Sequence, residues 1–400
     1  MKAFDAVVIG GGPAGATAAL TLARAGLSVA VVEKATFPRR KVCGEFISAT
    51  TWPLLRRLGV ARELLAAAGP AVRRVALYAG DDVVHAPMPA QEDADQWGRA
   101  IGREHLDTAL LEAAARTGAV VLQPWTVEAC RDEADEWRIA LAGATGARGE
   151  IRARIVIAAN GSWQRDVVAP RAGREARRAG DLLGFKAHFT GSRLPADCMP
   201  LVLFPGGYGG MVASDSGRIS FSCCIRRDAL HRCRGRYPGT SAGEAVIAHA
   251  IASCRGVREA LAGASRDGPW LSAGPIRPGV RTLARGRMFA AGNAAGEAHP
   301  LVAEGISMAI QAGWLAGGEL AAAGELSERS IAAARARYAR AWRENFAGRV
   351  RVSSAFAALT VSPATRAASA AALRGLPAAL TWGARFSGKA AALRPLEVFP

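Results

Sequence analysis

The first forty-five residues restrict this chain more than any other stretch. Ala6-Val-Val-Ile9 is a short apolar run of the kind buried in a parallel sheet, and it stops at Gly10-Gly-Gly12-Pro13-Ala14-Gly15, which opens a helical run reaching Gly26. A strand that turns at Gly-x-Gly-x-x-Gly and enters a helix brings unpaired amides and the positive end of the helix dipole to one point, which suits a pyrophosphate. Residues 28–33 supply a second strand, and Glu33 ends it eighteen residues after Gly15. A carboxylate there accepts hydrogen bonds from both hydroxyls of an adenosine ribose and repels a 2′-phosphate. The expected nucleotide is FAD or NAD, not NADP. A secretory signal is the competing reading of the uncharged residues 6–23. Four glycines and a proline break that stretch as an apolar core, and no small-residue cleavage site leads out of it into a disulfide-bearing chain.

Four hundred residues, half of them apolar, suffice for one large domain or two interlocked ones. Seven cysteines show neither a Cys-x-x-Cys pair nor a metal spacing, so a reducing cytoplasm is expected and no metal site is. The net charge of +17 is regional: from Arg329 onward there are twelve basic residues against Glu344 and Glu397. Such a tail reads first as solvated charge and second as a peripheral contact with anionic membrane lipid. Few aromatics and no RNP-like or zinc-finger pattern accompany it, which argues against nucleic acid as a partner. No other span is apolar and long enough for a membrane-crossing helix.

Along the chain, residues 50–68 carry leucines at helical spacing, and residues 72–78 and 83–86 read as two strands around Gly80-Asp81. Residues 99–118 return as a helix with Arg103 near its start. Residues 120–141 read as a strand and a hairpin, and 155–159 as another buried strand. Residues 184–225 alternate polar and apolar types, with glycine turns at 206–207, 209–210 and 216–217, predicting an antiparallel sheet with one wet face. A helix over 241–254, a buried strand over 287–291 and a long apolar helix over 305–323 follow. The remainder, 328–392, reads as two or three Ala/Arg helices broken at Pro363 and Pro377. The fold class expected is α/β: a Rossmann-type FAD-binding domain (1–70, 99–180 and 286–325) interlocked with an antiparallel-sheet substrate domain (71–98 and 181–285), plus a helical region (326–400).

Taken in order, these stations resemble the glutathione-reductase-like FAD superfamily, in the branch of aromatic hydroxylases, geranylgeranyl reductases and flavin-dependent halogenases. Three separated elements carry the resemblance: the amino-terminal fingerprint, Gly102-Arg103-Glu-His-Leu-Asp107, and Gly292-Asn293-Ala-Ala followed by His299-Pro300-Leu-Val-Ala-Glu304-Gly305-Ile306. It implies cofactor contacts at Gly10, Gly12, Pro13, Ala14, Gly15, Glu33, Lys34, Cys43, Gly44, Arg103, Gly292, Asn293, Gly305 and Ile306. Arg103 would reach the pyrophosphate side, and the helix opening at Gly305 would point its amino end at the flavin. Asn293 stands where the family usually has Asp, so a ribityl hydrogen bond survives without the charge. Residues 159–165 replace the Asp-Gly motif of the hydroxylases, which leaves either NAD(P)H or a partner flavin reductase as electron donor.

Lys41-Val-Cys43-Gly44-Glu45-Phe46 looks like the Lys-x-Cys-Gly segment of the geranylgeranyl-reductase-like branch, which lies over the isoalloxazine. Cys43 either tunes or gates the flavin, relays a proton to substrate, or is simply small enough to admit backbone to the ring. Glu45 reads as a surface salt bridge in preference to a buried acid. His299 reads as a proton donor or as a packed structural histidine, and Tyr208 as a wall of the substrate pocket or part of a turn. The resemblance leaves three reactions open on a lipophilic or aromatic small molecule. Hydroxylation of a secondary metabolite through a flavin C4a-hydroperoxide is narrowly preferred, reduction of isoprenoid double bonds is the alternative, and halogenation is weakest. A non-enzymic flavoprotein is the remaining reading.

Overall fold

The computed structural model describes residues 2–89, 97–162, 177–361 and 371–389, and two sheets dominate it. The first grows from β1 (Lys2–Ile9), α1 (Pro13–Arg24) and β2 (Val29–Val32). Its parallel core runs in the order β18 (Met288–Ala290), β10 (Arg148–Ala158), β1, β2, β7 (Val120–Leu122). Ala6 to Ile9 pair with Val29 to Val32 on one side and Ile155 to Ala158 on the other, which is why β1 is an unbroken apolar run. The two-residue β17 (Ala284–Arg285) and the hairpin β8 (Trp125–Glu133) and β9 (Glu136–Gly143) complete this sheet. α4 (Arg103–Arg116) and α8 (Gly305–Ala321) pack on α1. A methyl group on Gly313 would lie 2.2 Å from the Ala14 carbonyl oxygen, so the approach of α8 to α1 depends on a bare backbone there.

The second sheet runs β15 (Ser265–Ile276), β11 (Leu182–Thr190), β14 (Ile219–Arg226), β13 (Gly207–Ala213), β12 (Cys198–Phe204), β4 (Arg74–Ala79), β5 (Asp82–Pro87). Its neighbours are antiparallel except β12 with β4. Neither face of its centre is wet. On one side α5 (Arg227–Arg236), α6 (Ala242–Ser253) and α7 (Arg255–Ala260) cover Phe204, Phe221 and Ile225. On the other, Tyr208, Val212 and Cys224 join a cluster with Phe46 and Leu380. The polar alternation at 184–225 therefore marks buried polar residues such as Lys186 and His188, not solvent. Gly209 and Gly210 also depart from expectation: they lie inside β13, paired on both sides, and form no turn.

Two short pairs tie the layers together: β3 (Phe46–Ile47) with β6 (Arg99–Ala100), and β16 (Gly279–Val280) with β19 (Gly296–Glu297). The leucine-rich stretch after Thr50 is two helices, α2 (Trp52–Arg57) and α3 (Ala61–Ala67), because Gly59 takes a positive φ of 74° between them. Beyond α8, α9 (Glu328–Trp342) continues through a π-helical turn at Arg343–Ala347 into α10 (Gly348–Val361). Pro363 lies outside the described residues, and Pro377 opens α11 (Ala378–Ala384). No helix among the described residues is long and apolar enough to cross a membrane.

Candidate active site

The amino terminus of α1 is open: Gly12 precedes it with no side-chain cap, and its first turn holds no acidic residue. Gly10 adopts φ 104°, and a methyl on Gly15 would sit 1.9 Å from the Gly10 carbonyl oxygen, so this turn excludes larger residues. Arg103 lies beside Gly12, within 3.7 Å of where a Cβ would project. Its guanidinium is buried and forked onto Asp107 at 2.6 and 2.7 Å. Lys41 is nearby, with its pKa lowered to about 8 by burial and then by the charges of Arg103 and Arg39. Glu33, buried at the end of β2, accepts the Gly11 and Ala35 amides at 2.8 and 2.9 Å. Lys34 is exposed at the edge of this group.

Residues from the far end of the chain close the same site. Gly292 faces Ala14 so closely that a methyl on it would lie 2.8 Å from the Ala14 Cβ. Asn293 donates from Nδ2 to Ser162 Oγ at 2.8 Å and to Glu297 Oε1 at 3.2 Å, while its carbonyl accepts from Arg281. Burial raises the Glu297 pKa against the opposing pull of Arg281. Gly305 and Ile306 start α8, a seventeen-residue helix with no acidic residue in its first turn but with the buried Glu304 at its N-cap. Of residues 159–165, Trp163, Gln164 and Arg165 lie outside the described residues.

From these residues a cavity of about 520 Å³ extends along the second sheet. Cys43, Gly44, Asn293 and Gly305 line its inner end; Phe185, Met211, Leu201 and Ile276 line its walls; Val352, Leu380 and Phe386 line its outer end. Tyr208 is a wall of this cavity, as one reading had it. Burial pushes its hydroxyl far above the usual tyrosine range, with Cys224 beside it, itself pushed up to about 12 by burial. His299 stands behind Tyr208 with ring centres 5.0 Å apart and does not line the cavity. Burial lowers its pKa to about 4, so the imidazole is neutral near pH 7.

Glu45 overturns the surface reading. It is fully buried at φ 65°, and its carboxylate pairs with Lys186 Nζ and with His188 Nε2 at 2.9 Å. Burial alone would raise its pKa; the His188 hydrogen bond and the Lys186 charge outweigh that and hold it at about 2. Ser214 Oγ lies 3.2 Å from Glu45 and 2.9 Å from Asp215, and Asp215 accepts the Gly102 amide at 2.6 Å. Within the loop, the Glu45 amide donates to Cys43 Sγ at 3.4 Å. A polar chain thus runs from the Cys43-Gly44 loop to the start of α4. Sequence reasoning missed Lys186 and His188; their signal was two basic residues at i and i+2 in an otherwise apolar strand.

The open helix terminus of α1, the cations Arg39, Lys41 and Arg103 around it, the carboxylate of Glu33 and the bare backbone at Gly292 and Gly305 suit a long, doubly anionic dinucleotide. The residues present therefore fit FAD. A family model described as "FAD binding domain" matches residues 3–343. A menaquinone reductase of Mycobacterium tuberculosis is 33% identical over 158 residues, which are 40% of this chain and only 38% of that protein's length. Digeranylgeranylglycerophospholipid reductase 2 of Methanopyrus kandleri is 29% identical over 357 residues, covering 86% of this chain and 83% of that protein. Among solved structures, the myxobacterial chondrochloren halogenase CndH superposes with a TM-score of 0.74 at 23% identity, covering 87% of this chain and 80% of that one. A geranylgeranyl bacteriochlorophyll reductase-like protein of Thermoplasma acidophilum gives 0.68 at 19% identity, covering 88% and 87%. At those identities the two structures establish the fold.

Proposed function

Because this chain belongs to the FAD-binding domain family, and within it to the superfamily of flavin-dependent halogenases, monooxygenases and reductases, we propose that it is an oxidoreductase saturating a carbon–carbon double bond in a lipophilic, isoprenoid-type substrate. The observation that carries this reading is the cavity, apolar along its walls from the Cys43-Gly44 loop to the C-terminal helices. Such a lining suits a hydrocarbon chain laid end to end, with few polar groups to orient a small phenol. A relative that matches 86% of this chain is named digeranylgeranylglycerophospholipid reductase 2. This reverses the narrow preference for hydroxylation that the sequence supports.

Bound FAD, when reduced, supplies a hydride to one carbon of the double bond. The chain's part is to orient, to exclude water and to hold a proton for the second carbon. Gly44 and Gly305 would leave room for the flavin ring beside the substrate, because they carry no side chain where the two would meet. Cys43 lines the inner end of the cavity, so we assign its thiol the proton delivered to carbon, while Tyr208, whose proton burial holds on the hydroxyl, shapes the wall. NAD(P)H or a partner flavin reductase supplies the electrons. Hydroxylation is the second reading, favoured by the apolar lining of the same cavity, which would keep water from the reacting centre. Halogenation is the weakest of the three readings: among the described residues no lysine lines the cavity, and Lys186 is held by Glu45.

The test is the mass of the product formed by reduced enzyme from a geranylgeranyl-bearing lipid, with and without air. A gain of two hydrogens that is indifferent to air supports the reading. A gain of one oxygen that disappears without air overturns it in favour of hydroxylation.

A further inference from the structure

The outer end of the cavity lies among the C-terminal helices, where the surface departs from that of an ordinary soluble protein. Val352 on α10 and Phe386 beyond α11 line the cavity and are also 51% and 74% exposed. Leu376 and Trp382, which flank the lining residues Ala379 and Leu380, are 49% and 54% exposed. Only two other large apolar side chains among the described residues, Leu65 and Val280, are exposed to a comparable degree. Surface apolar groups gathered at the mouth of an apolar cavity mark an interaction site.

Charge selects the partner. Between Glu344 and Glu397 the chain has no Asp or Glu and seven basic residues. Arg351 and Arg385 among them are exposed on the described helices, and Arg374 is exposed but paired with Asp82 of β5 at 2.9 Å. A protein partner of mixed charge would meet no carboxylate of this segment, whereas an anionic bilayer meets tryptophan, phenylalanine and arginine in the combination that interfacial contacts use.

We propose that this face rests on an anionic lipid bilayer, with the cavity mouth at the hydrocarbon boundary, so that substrate enters from the membrane without crossing water. The route rests on the lipophilic reading of the site, since each methylene kept out of water is worth about a fourfold factor in partition. The contact is peripheral, because no described helix can span a bilayer. Each basic residue near the surface is expected to add about a fivefold factor.

Flotation of the FAD-loaded full chain with vesicles tests the contact without any substrate. The protein should rise with vesicles of phosphatidylcholine containing about one third phosphatidylglycerol, stay behind with pure phosphatidylcholine, and be released by high salt. Leu376→Glu with Trp382→Glu, and separately Arg351→Glu with Arg385→Glu, should each lower the bound fraction at least about tenfold, with flavin content and thermal midpoint unchanged. Failure to float, or variants that float like the parent, would overturn the proposal. So would sedimentation showing a dimer that Leu376→Glu with Trp382→Glu splits, because the face would then cover a second copy. Reduction of a detergent-dispersed isoprenoid without vesicle binding would remove this surface and spare the proposed reaction. Vesicle binding without reduction would do the reverse.

Discussion

Glu45→Gln is the most informative single change, because it keeps the shape of the side chain and removes only its charge. The carboxylate is held at about 2 against an ordinary value of 4.5, so ionised Glu45 contributes about 3 kcal/mol to the folded state at neutral pH. That figure already contains the attraction to Lys186, which the variant leaves buried without its counter-charge. For a chain of this length, about 3 kcal/mol corresponds to a fall of about 4 °C in unfolding midpoint. The pH dependence follows from the sign of the shift. A depressed carboxylate stabilises fully above its unfolded value and loses that contribution as pH falls from about 4.5 towards about 2, so at pH 3 less than half of the gap between variant and parent should remain. Circular dichroism melts at pH 7 and pH 3 measure both. A variant melting within 1 °C of the parent at pH 7, or a gap that widens in acid, would refute the ionised state of Glu45.

Other perturbations address the cofactor and the chemistry. Glu33→Arg should lose most bound FAD, read as the ratio of flavin to protein absorbance, since it removes the acceptor buried at the end of β2; full retention would contradict the placement of the ribose. FAD binding at pH 8.5 should take up more than half a proton, because an arriving pyrophosphate raises Lys41 from about 8. Calorimetry in buffers of different ionisation enthalpy measures it, and Lys41→Met should abolish it. Cys43→Ala should slow product formation about a hundredfold at unchanged flavin content, because its thiol supplies the proton. An unchanged rate would refute Cys43 as the donor.

How much of this was legible depended on distance along the chain. The β1–α1–β2 unit and its ligand could be read from one window, because turn glycines, apolar run and terminal carboxylate lie within thirty residues and each has a local physical cause. Arg103 at a helix start and Gly305 opening α8 were legible for the same reason. Glu45 was not, since its partners Lys186 and His188 lie 141 and 143 residues away and nothing near Glu45 marks burial. The wet face expected of the second sheet failed likewise: a polar residue in a strand reads as solvent-facing unless its counter-charge is known. Gly209-Gly210 has the composition of a turn, yet both residues are paired in β13 with β12 and β14.

The position of β1 at the centre of its sheet has a consequence for synthesis. On a ribosome, β1 and α1 emerge first, but β10 follows after well over a hundred residues, and α8, which α1 is packed against, ends only at Ala321. At roughly ten residues per second, the apolar flank of α1 spends about half a minute uncovered in the cell. Newly made chains are thus expected to be chaperone clients, and the yellow holoprotein forms only after translation has passed the last turn of α8.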